Sequence, residues 1–263
     1  MTWIVGRALP FGYAAAVSDV RVTIGNVHRD CLQKVHEVGP RMAMGFAGNV
    51  WIGFRMVKRL QNLLAQSDQA REPEVVARWW PYDAREVFEL EAQSIADPSC
   101  ELMLLSAHPT NDIGIPNIPR CSVHCFRSPG FEPVLAEPDG ILPGGSKAVA
   151  IGCGNESARY REVLDHVTDF LPATGGPVMH GEFTGRMLVG VRHTILNHPN
   201  PDVSPFLQLC TVSRGYVRIM NADGRRYGVG GDVTDFTVPK LVANLDEYCA
   251  ELGELGDAAD ARC

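Results

Sequence analysis

Residues 1–6 of the chain are MTWIVG, and they allow two interpretations of Thr2. The run from Thr2 to Arg7 is rich in Trp, Ile and Val, which is typical of a β-strand. If Met1 is removed, the same threonine also carries a free α-amine beside its hydroxyl. An α-amine has a pKa of about 7.7–8.0, so a useful fraction is neutral at physiological pH and available as a base. The stretch is either the first strand of a sheet or that strand together with a nucleophile.

The residues that follow extend a pattern of short strands. Tyr13 to Val17 predicts a second, small-residue strand, and Asp19 comes just past its end. Lys34 to Val38 and Arg41 to Phe46 predict a second hairpin, joined at Gly39-Pro40. Residues 2–46 are therefore expected to form a set of antiparallel strands.

Helices follow in two separate groups. Residues 49–66 repeat apolar side chains at helical spacing after Gly48, and a second helix is expected over 74–94, kinked or split at Pro81. Later helices are expected over 155–170 and 181–197. The remaining predicted strands are 101–107, 121–127, 132–137, 148–152, 207–212 and 216–220. Helices grouped between blocks of antiparallel strands predict an α+β layered fold.

Composition limits the class of protein. The 263 residues carry a net charge of −7, so the basic surface that nucleic-acid binding needs is missing. No apolar run approaches the roughly 18 residues of a transmembrane helix, so no membrane association is expected. Eight scattered cysteines favour reduced thiols and a cytoplasmic protein. We expect one domain over 1–246, enlarged over 66–147, and a tail over 247–263.

Thr2, Asp19, Lys34 and Gly48 follow one another in an order that resembles the β-type subunits of the proteasome family, and within it the bacterial HslV branch. A later segment, Ala150-Ile-Gly-Cys-Gly154, resembles the Gly-Ser-Gly segment of that family. The resemblance covers about residues 2–65 and 148–170. It implies the four-layer αββα sandwich of N-terminal-nucleophile hydrolases.

Chemistry gives each of these residues a role. A hydroxyl needs a base to become a nucleophile, and the α-amine of Thr2 lies next to its own hydroxyl. The ammonium of Lys34 would favour the neutral amine, and Asp19 would hold Lys34 in place. The N–H of Gly48 would donate to the oxyanion of an acyl-transfer intermediate.

Other residues depart from the family pattern or follow it loosely. Cys153 stands where the family commonly has a serine near the Thr amine, and Asp202 with Ser204 is the nearest match to a later Asp-x-x-Ser element. The resemblance also implies that four residues shape the first substrate pocket, which would accept an apolar or neutral side chain. These pocket residues are Val22, Leu32, His36 and Phe46.

The resemblance implies a threonine-type endopeptidase that cleaves peptide or protein substrates once Met1 is removed. It also implies a self-compartmentalising homo-oligomer of stacked rings, with a AAA+ unfoldase as a candidate partner. No metal or other cofactor is expected. Two alternatives stay open: an N-terminal-nucleophile amidase acting on small amides, and a silent structural ring subunit that retains Met1.

Overall fold

The computed structural model describes residues 2–10, 12–24, 27–66, 72–96, 98–109, 121–140, 144–169, 180–221 and 239–253. The described strands are β1 (Trp3–Leu9), β2 (Tyr13–Asp19), β3 (Arg21–Ile24), β4 (Val27–Asp30), β5 (Val35–Gly39), β6 (Met42–Gly48), β7 (Cys100–Ala107), β8 (Cys121–Arg127), β9 (Val134–Leu135), β10 (Val149–Gly152), β11 (Leu207–Ser213) and β12 (Val217–Asn221). The described helices are α1 (Val50–Gln66), α2 (Pro73–Ala92), α3 (Ala158–Thr168), α4 (His180–Asn197) and α5 (Leu245–Gly253), with a 3-10 turn at Cys153–Glu156.

The strands form two five-stranded antiparallel sheets and a separate hairpin. In the first sheet, which we call sheet A, the order is β10-β1-β2-β11-β12. In the second sheet, sheet B, the order is β5-β6-β7-β8-β9, and β3 pairs only with β4. Strand β1 therefore lies between β10 and β2, and β6 lies between β5 and β7.

Successive side chains of β1 point to opposite faces of sheet A and belong to two different buried clusters. Trp3 and Val5 pack with residues of α3 and α4 on one face of sheet A. Ile4 and Ala8 belong to the cluster that joins sheet A to sheet B. Because side chains alternate along a strand, Thr2 has the same parity as Ile4 and belongs to the inter-sheet side.

The inter-sheet cluster is rich in alanine, whose small side chain lets the two backbones come close together. A Cβ added to Gly6 would overlap the sulfur of Met103 on the facing sheet. A third cluster packs α1 and α2 against sheet B around Phe46 and Trp80. Helix α5 joins this third cluster, because its Tyr248 is buried near Phe54, with the ring centroids 6.1 Å apart.

Most predicted elements are confirmed, with three differences. Helix α2 runs through Pro81 without a break, because Trp80 and Pro81 are buried in its packing face and this contact outweighs the lost hydrogen bond. The strand predicted over 132–137 is reduced to Val134–Leu135. The β3–β4 hairpin was not predicted, because the side chains of β4 are exposed or half-buried and do not alternate with buried ones.

The carboxyl-terminal segment is described over residues 239–253. Residue 247, where the sequence places the start of that tail, lies inside α5. Residue 242 forms a parallel bridge with Leu32, in which the Val242 N–H donates to the Cys31 carbonyl and the Gln33 N–H donates to the Val242 carbonyl. This segment therefore packs beside the loop that precedes Lys34.

A helix that crosses a membrane must be both long and predominantly apolar. Within the described ranges, no helix has both properties.

Candidate active site

Asp19, at the end of β2, is the centre of a buried hydrogen-bond network. Its Oδ2 accepts the backbone N–H of Trp3 at 2.6 Å, and its Oδ1 accepts the Lys34 ammonium at 2.9 Å. The same Oδ1 accepts the N–H of Arg21 at 2.8 Å and of Ser204 at 3.4 Å. A buried carboxylate needs such compensation, because an unpaired charge inside a protein is costly. Asp19 thus joins the start of β1 to the loop before β5.

Lys34 is completely buried, and its side chain reaches Asp19 from the sheet B side. Burial lowers the pKa of Lys34 below its usual 10.5, and the charge of Asp19 opposes that shift. The Lys34 carbonyl accepts the N–H of Phe46 at 3.1 Å, which fixes the lysine beside the end of β6. The ion pair is therefore held from both sides and has no solvent exposure.

Thr2 lies where the start of β1 in sheet A comes close to Ala47 and Gly48 at the end of β6 in sheet B, and it is 5% exposed. We call this edge between the two sheets the mouth. Its carbonyl accepts the thiol of Cys153 at 3.4 Å. Burial raises the pKa of the Cys153 thiol, so the thiol is neutral and acts as a weak donor. Asp19 thus contacts Lys34 and the Trp3 amide, and Cys153 contacts the Thr2 carbonyl.

Gly152 makes this close approach to Thr2 possible. Its φ is +89°, and a Cβ at this position would overlap the Thr2 carbonyl oxygen. The same Cβ would lie 3.2 Å from the side chain of Ala47, which precedes Gly48. The end of β6 therefore faces the start of β1 across the mouth.

Gly48 ends β6 in a conformation that favours glycine. Its φ is +95°, and a Cβ there would overlap the carbonyl of Ser99. Gly48 is exposed, although Ala47 beside it is buried. The turn therefore presents Gly48 to the solvent at the mouth, just before α1.

Asp202 and Ser204 are placed differently from each other. Ser204 is fully buried and meets Asp19 through its backbone N–H, while its Oγ accepts the N–H of Phe206 at 3.0 Å. The amide of Asp202 donates to Asn200. The hydrogen bond with Asp30 raises the pKa of Arg21, and the charge of Asp202 adds a small contribution. Ser204 therefore belongs to the network of Asp19, and Asp202 lies at its edge.

The four residues expected to shape a substrate pocket lie in one buried region. Val22, Leu32 and Phe46 belong to the cluster between sheet B and its helices. His36 stacks on Phe46 with the ring centroids 5.8 Å apart and the planes 4° apart. His36 also lines a cavity of about 300 Å³ beside α1 and α5. Thr2 is not among the lining residues of that cavity.

His36 is a pH-sensitive element of this region. Its Nε2–H donates to the Gln33 carbonyl at 2.9 Å, and burial lowers its pKa from 6.5 to about 4. The unfolded chain therefore binds a proton more readily between these values, and stability falls as pH decreases through this window. We expect His36 to account for a loss on the order of 3 kcal/mol between neutral pH and pH 4.

The measurement is urea unfolding of the wild type and the His36→Phe variant at pH 7 and pH 4.5. Phenylalanine keeps the ring contacts with Phe46 and Phe54 and has no titratable group. The variant should show a smaller difference in stability between the two pH values. An unchanged difference would mean that another group carries the pH dependence.

Glu101 is a residue of the site that sequence reasoning missed. It is the second residue of β7, and its Oε2 accepts the N–H of Gly152 at 2.6 Å. Its Oε1 lies 3.1 Å from Nε of Arg127. A lone glutamate in a buried strand gives no sequence signal of a partner on another sheet.

Two further observations describe what surrounds the site. Within the described part of the chain, no three His, Cys, Asp or Glu side chains form a group suited to a metal ion. A groove of about 490 Å³ runs along β10 and the β8–β9 edge, and it includes Ala150 but neither Thr2 nor Gly48. The groove is lined by Cys125 and by the charged residues Arg127 and Glu132, which pair with Glu101 and Arg85 respectively.

Comparisons with known proteins identify the fold. No model of a known protein family matches the chain, and no curated protein matches its sequence. Among solved structures, the chain is similar to Anbu (ancestral beta-subunit) from Yersinia bercovieri, with 18% sequence identity and a TM-score of 0.61. The likeness covers 86% of this chain and 90% of that chain. The fold is therefore α+β and proteasome-like.

This comparison corrects the family expected from the sequence. The assignment to proteasome β-subunits of the HslV branch is wrong, because the similar structure is Anbu, which is related to HslV but forms a distinct family. The order of Thr2, Asp19, Lys34 and Gly48 therefore did not identify the branch.

Proposed function

We propose that the chain is a threonine-type peptidase whose nucleophile is Thr2, released by cleavage of the Met1–Thr2 peptide bond. The observation that carries this proposal is the buried Asp19–Lys34 pair, whose carboxylate also accepts the N–H of Trp3, the residue next to Thr2. A completely buried lysine beside a candidate nucleophile has no evident solubility role, and strongly perturbed pairs of this kind concentrate at functional sites.

In the proposed reaction the Thr2 hydroxyl oxygen attacks the carbonyl carbon of the substrate amide. The hydroxyl proton passes to the α-amine of Thr2, and the carbonyl π electrons move onto its oxygen. Collapse of this intermediate breaks the C–N bond, and the departing amine takes the proton. Water then hydrolyses the Thr2 ester in the same way and releases the acid.

Lys34 and Gly48 would support this sequence electrostatically. The positive charge of Lys34 would favour the neutral α-amine and would stabilise the developing alkoxide. The N–H of Gly48 would donate to the oxyanion, because Gly48 is exposed at the mouth that faces the start of β1. Cys153 would orient Thr2 through its carbonyl, and Ser204 would hold Asp19.

The proposal extends to architecture and assembly. We propose the four-layer αββα arrangement, which the two sheets and the separate helix clusters support. We also propose a ring-like homo-oligomer that acts on peptide substrates. The name of the similar structure, ancestral beta-subunit, supports an assembly.

A peptide epoxyketone tests the proposed chemistry against its two rivals. This electrophile needs both the threonine hydroxyl and its free amine, so it should add to the processed chain at Thr2. An amidase would react with it but prefer small amides over peptides. A structural subunit that keeps Met1 would take up no label, and that result would contradict the proposed function.

Removal of Met1 is the first prediction that follows. We expect the intact mass of the protein purified from its native source to correspond to a chain that begins at Thr2, because the base is otherwise a peptide nitrogen. Intact-mass spectrometry with amino-terminal sequencing makes the measurement. A chain that begins at Thr2 but shows no labelling would separate processing from activity, and a chain that retains Met1 would favour the structural alternative.

A further inference from the structure

Two side-chain contacts cross from one sheet to the other on opposite sides of Thr2. On one side, Lys34, which precedes β5 of sheet B, binds Asp19 at the end of β2 of sheet A. On the other side, Glu101 of β7 in sheet B binds the Gly152 N–H at the end of β10 in sheet A. The first contact is part of the proposed chemistry, and the second has no role in it.

The strand order gives these two contacts their meaning. Thr2 precedes β1, which lies between β10 and β2, and Gly48 ends β6, which lies between β5 and β7. Each neighbour of β1 therefore has one contact on the side of β6: β2 binds Lys34, which precedes β5, and β10 binds Glu101 of β7. The distance between the nucleophile on sheet A and the oxyanion donor on sheet B depends on these two ties.

Gly152 contacts both Glu101 and Thr2, so the position of Glu101 affects the backbone beside Thr2. Gly152 is paired in register with Trp3, and its backbone is so close to the Thr2 carbonyl that a Cβ would not fit. Glu101 is paired in register with Ala47, the neighbour of Gly48. One carboxylate thus contacts the strand beside the nucleophile and belongs to the strand beside the oxyanion donor.

We infer that Glu101 is a positioning residue that sets the separation between Thr2 and Gly48 by accepting the Gly152 N–H. This inference rests on the proposed function. Arg127 orients the carboxylate through its other oxygen at 3.1 Å and lies on the exposed side. The acceptor oxygen, rather than the negative charge, performs the role, so an uncharged acceptor of the same length replaces it.

The test compares Glu101→Ala with Glu101→Gln in hydrolysis of a fluorogenic peptide. Glutamine keeps an acceptor for Gly152, so Glu101→Gln should keep kcat within about 3-fold of the wild type. Alanine removes the acceptor, and kcat should fall about 10- to 100-fold with little change in KM, as a small misplacement of reacting groups does. Glu132→Ala, which removes a mostly exposed glutamate paired with Arg85, is the control and should match the wild type.

Hydrogen exchange gives a second measurement that does not depend on activity. The Glu101→Ala variant should exchange faster in a peptide that covers residues 149–153, and Glu101→Gln should exchange as the wild type does. Equal kcat in Glu101→Ala and the wild type would overturn the inference, as would a Glu101→Gln variant that loses more than about 10-fold. If Glu101→Ala does not fold, Glu101→Gln still decides between acceptor and charge.

The failure of the proposed function would look different. In that case the wild-type protein would neither hydrolyse the peptide nor take up the epoxyketone, and the catalytic role of Glu101 would fall with it. A wild type that is active, together with an equally active Glu101→Ala variant, would overturn only the role of Glu101.

Discussion

Replacement of Thr2 by alanine is expected to lower peptide hydrolysis by at least about 10³-fold, because loss of a nucleophile removes the covalent step as a whole. Thr2 is 5% exposed and its carbonyl is held by Cys153, and the alanine variant keeps that backbone contact. The expected effect is therefore on kcat with little effect on folding. Steady-state kinetics and thermal unfolding of the purified variant make the measurement.

Two companions sharpen this experiment. Thr2→Ser keeps a hydroxyl and should retain measurable activity and epoxyketone labelling. Thr23→Ala removes an exposed hydroxyl that contacts His28 on the β3–β4 hairpin, and it should leave hydrolysis unchanged. Hydrolysis that survives in Thr2→Ala would place the nucleophile elsewhere and would reject the mechanism.

Replacement of Lys34 by methionine is expected to abolish activity and to destabilise the protein by about 3–5 kcal/mol. Methionine fills a similar volume but leaves the fully buried Asp19 carboxylate without its cation. The remaining backbone donors, from Trp3, Arg21 and Ser204, do not compensate a full negative charge. Urea unfolding at neutral pH and the hydrolysis assay measure the two effects.

The chain offers a matched control for this variant. Lys147 pairs with Glu137 at 2.7 Å, a distance close to that of the Lys34–Asp19 pair. The side chains of Lys147 and Glu137 are both largely exposed. Lys147→Met should change neither stability nor activity measurably, because solvent screens exposed pairs. If Lys34→Met and Lys147→Met behave alike, burial is not what gives Lys34 its importance.

A double variant separates charge balance from catalysis. Asp19→Asn combined with Lys34→Met removes both charges, so stability should recover in part relative to Lys34→Met alone. Activity should stay lost, because the cation beside the amine of Thr2 is still missing. Recovery of activity in the double variant would show that Lys34 acts only through stability.

The sequence predicts the elements of this site better than their connections. The strand pattern around Thr2 and the helix after Gly48 are visible in the periodicity of the chain. The order of Asp19 and Lys34 also points to a pair. The contact itself depends on how two sheets stack, and stacking is not encoded in local periodicity.

The features that the sequence does not reveal are those that depend on distant residues. Glu101 and Gly152 lie 51 positions apart, and neither residue alone suggests the other. Helix α2 continues through Pro81 because tertiary packing overrides a local preference. The family branch expected from the sequence was also wrong, since the similar structure is Anbu and the order of four residues did not identify the branch.

The bridge between Leu32 and Val242 has a consequence for the order of events during synthesis. Thr2 is synthesised 240 positions before Val242. Until Val242 is available, the loop that leads to Lys34 lacks the two backbone hydrogen bonds that hold it. A nascent chain therefore carries the proposed nucleophile, Thr2, long before the charged side chain of Lys34 is fixed. A truncated chain that ends before Val242 lacks the two backbone hydrogen bonds that hold the loop before Lys34.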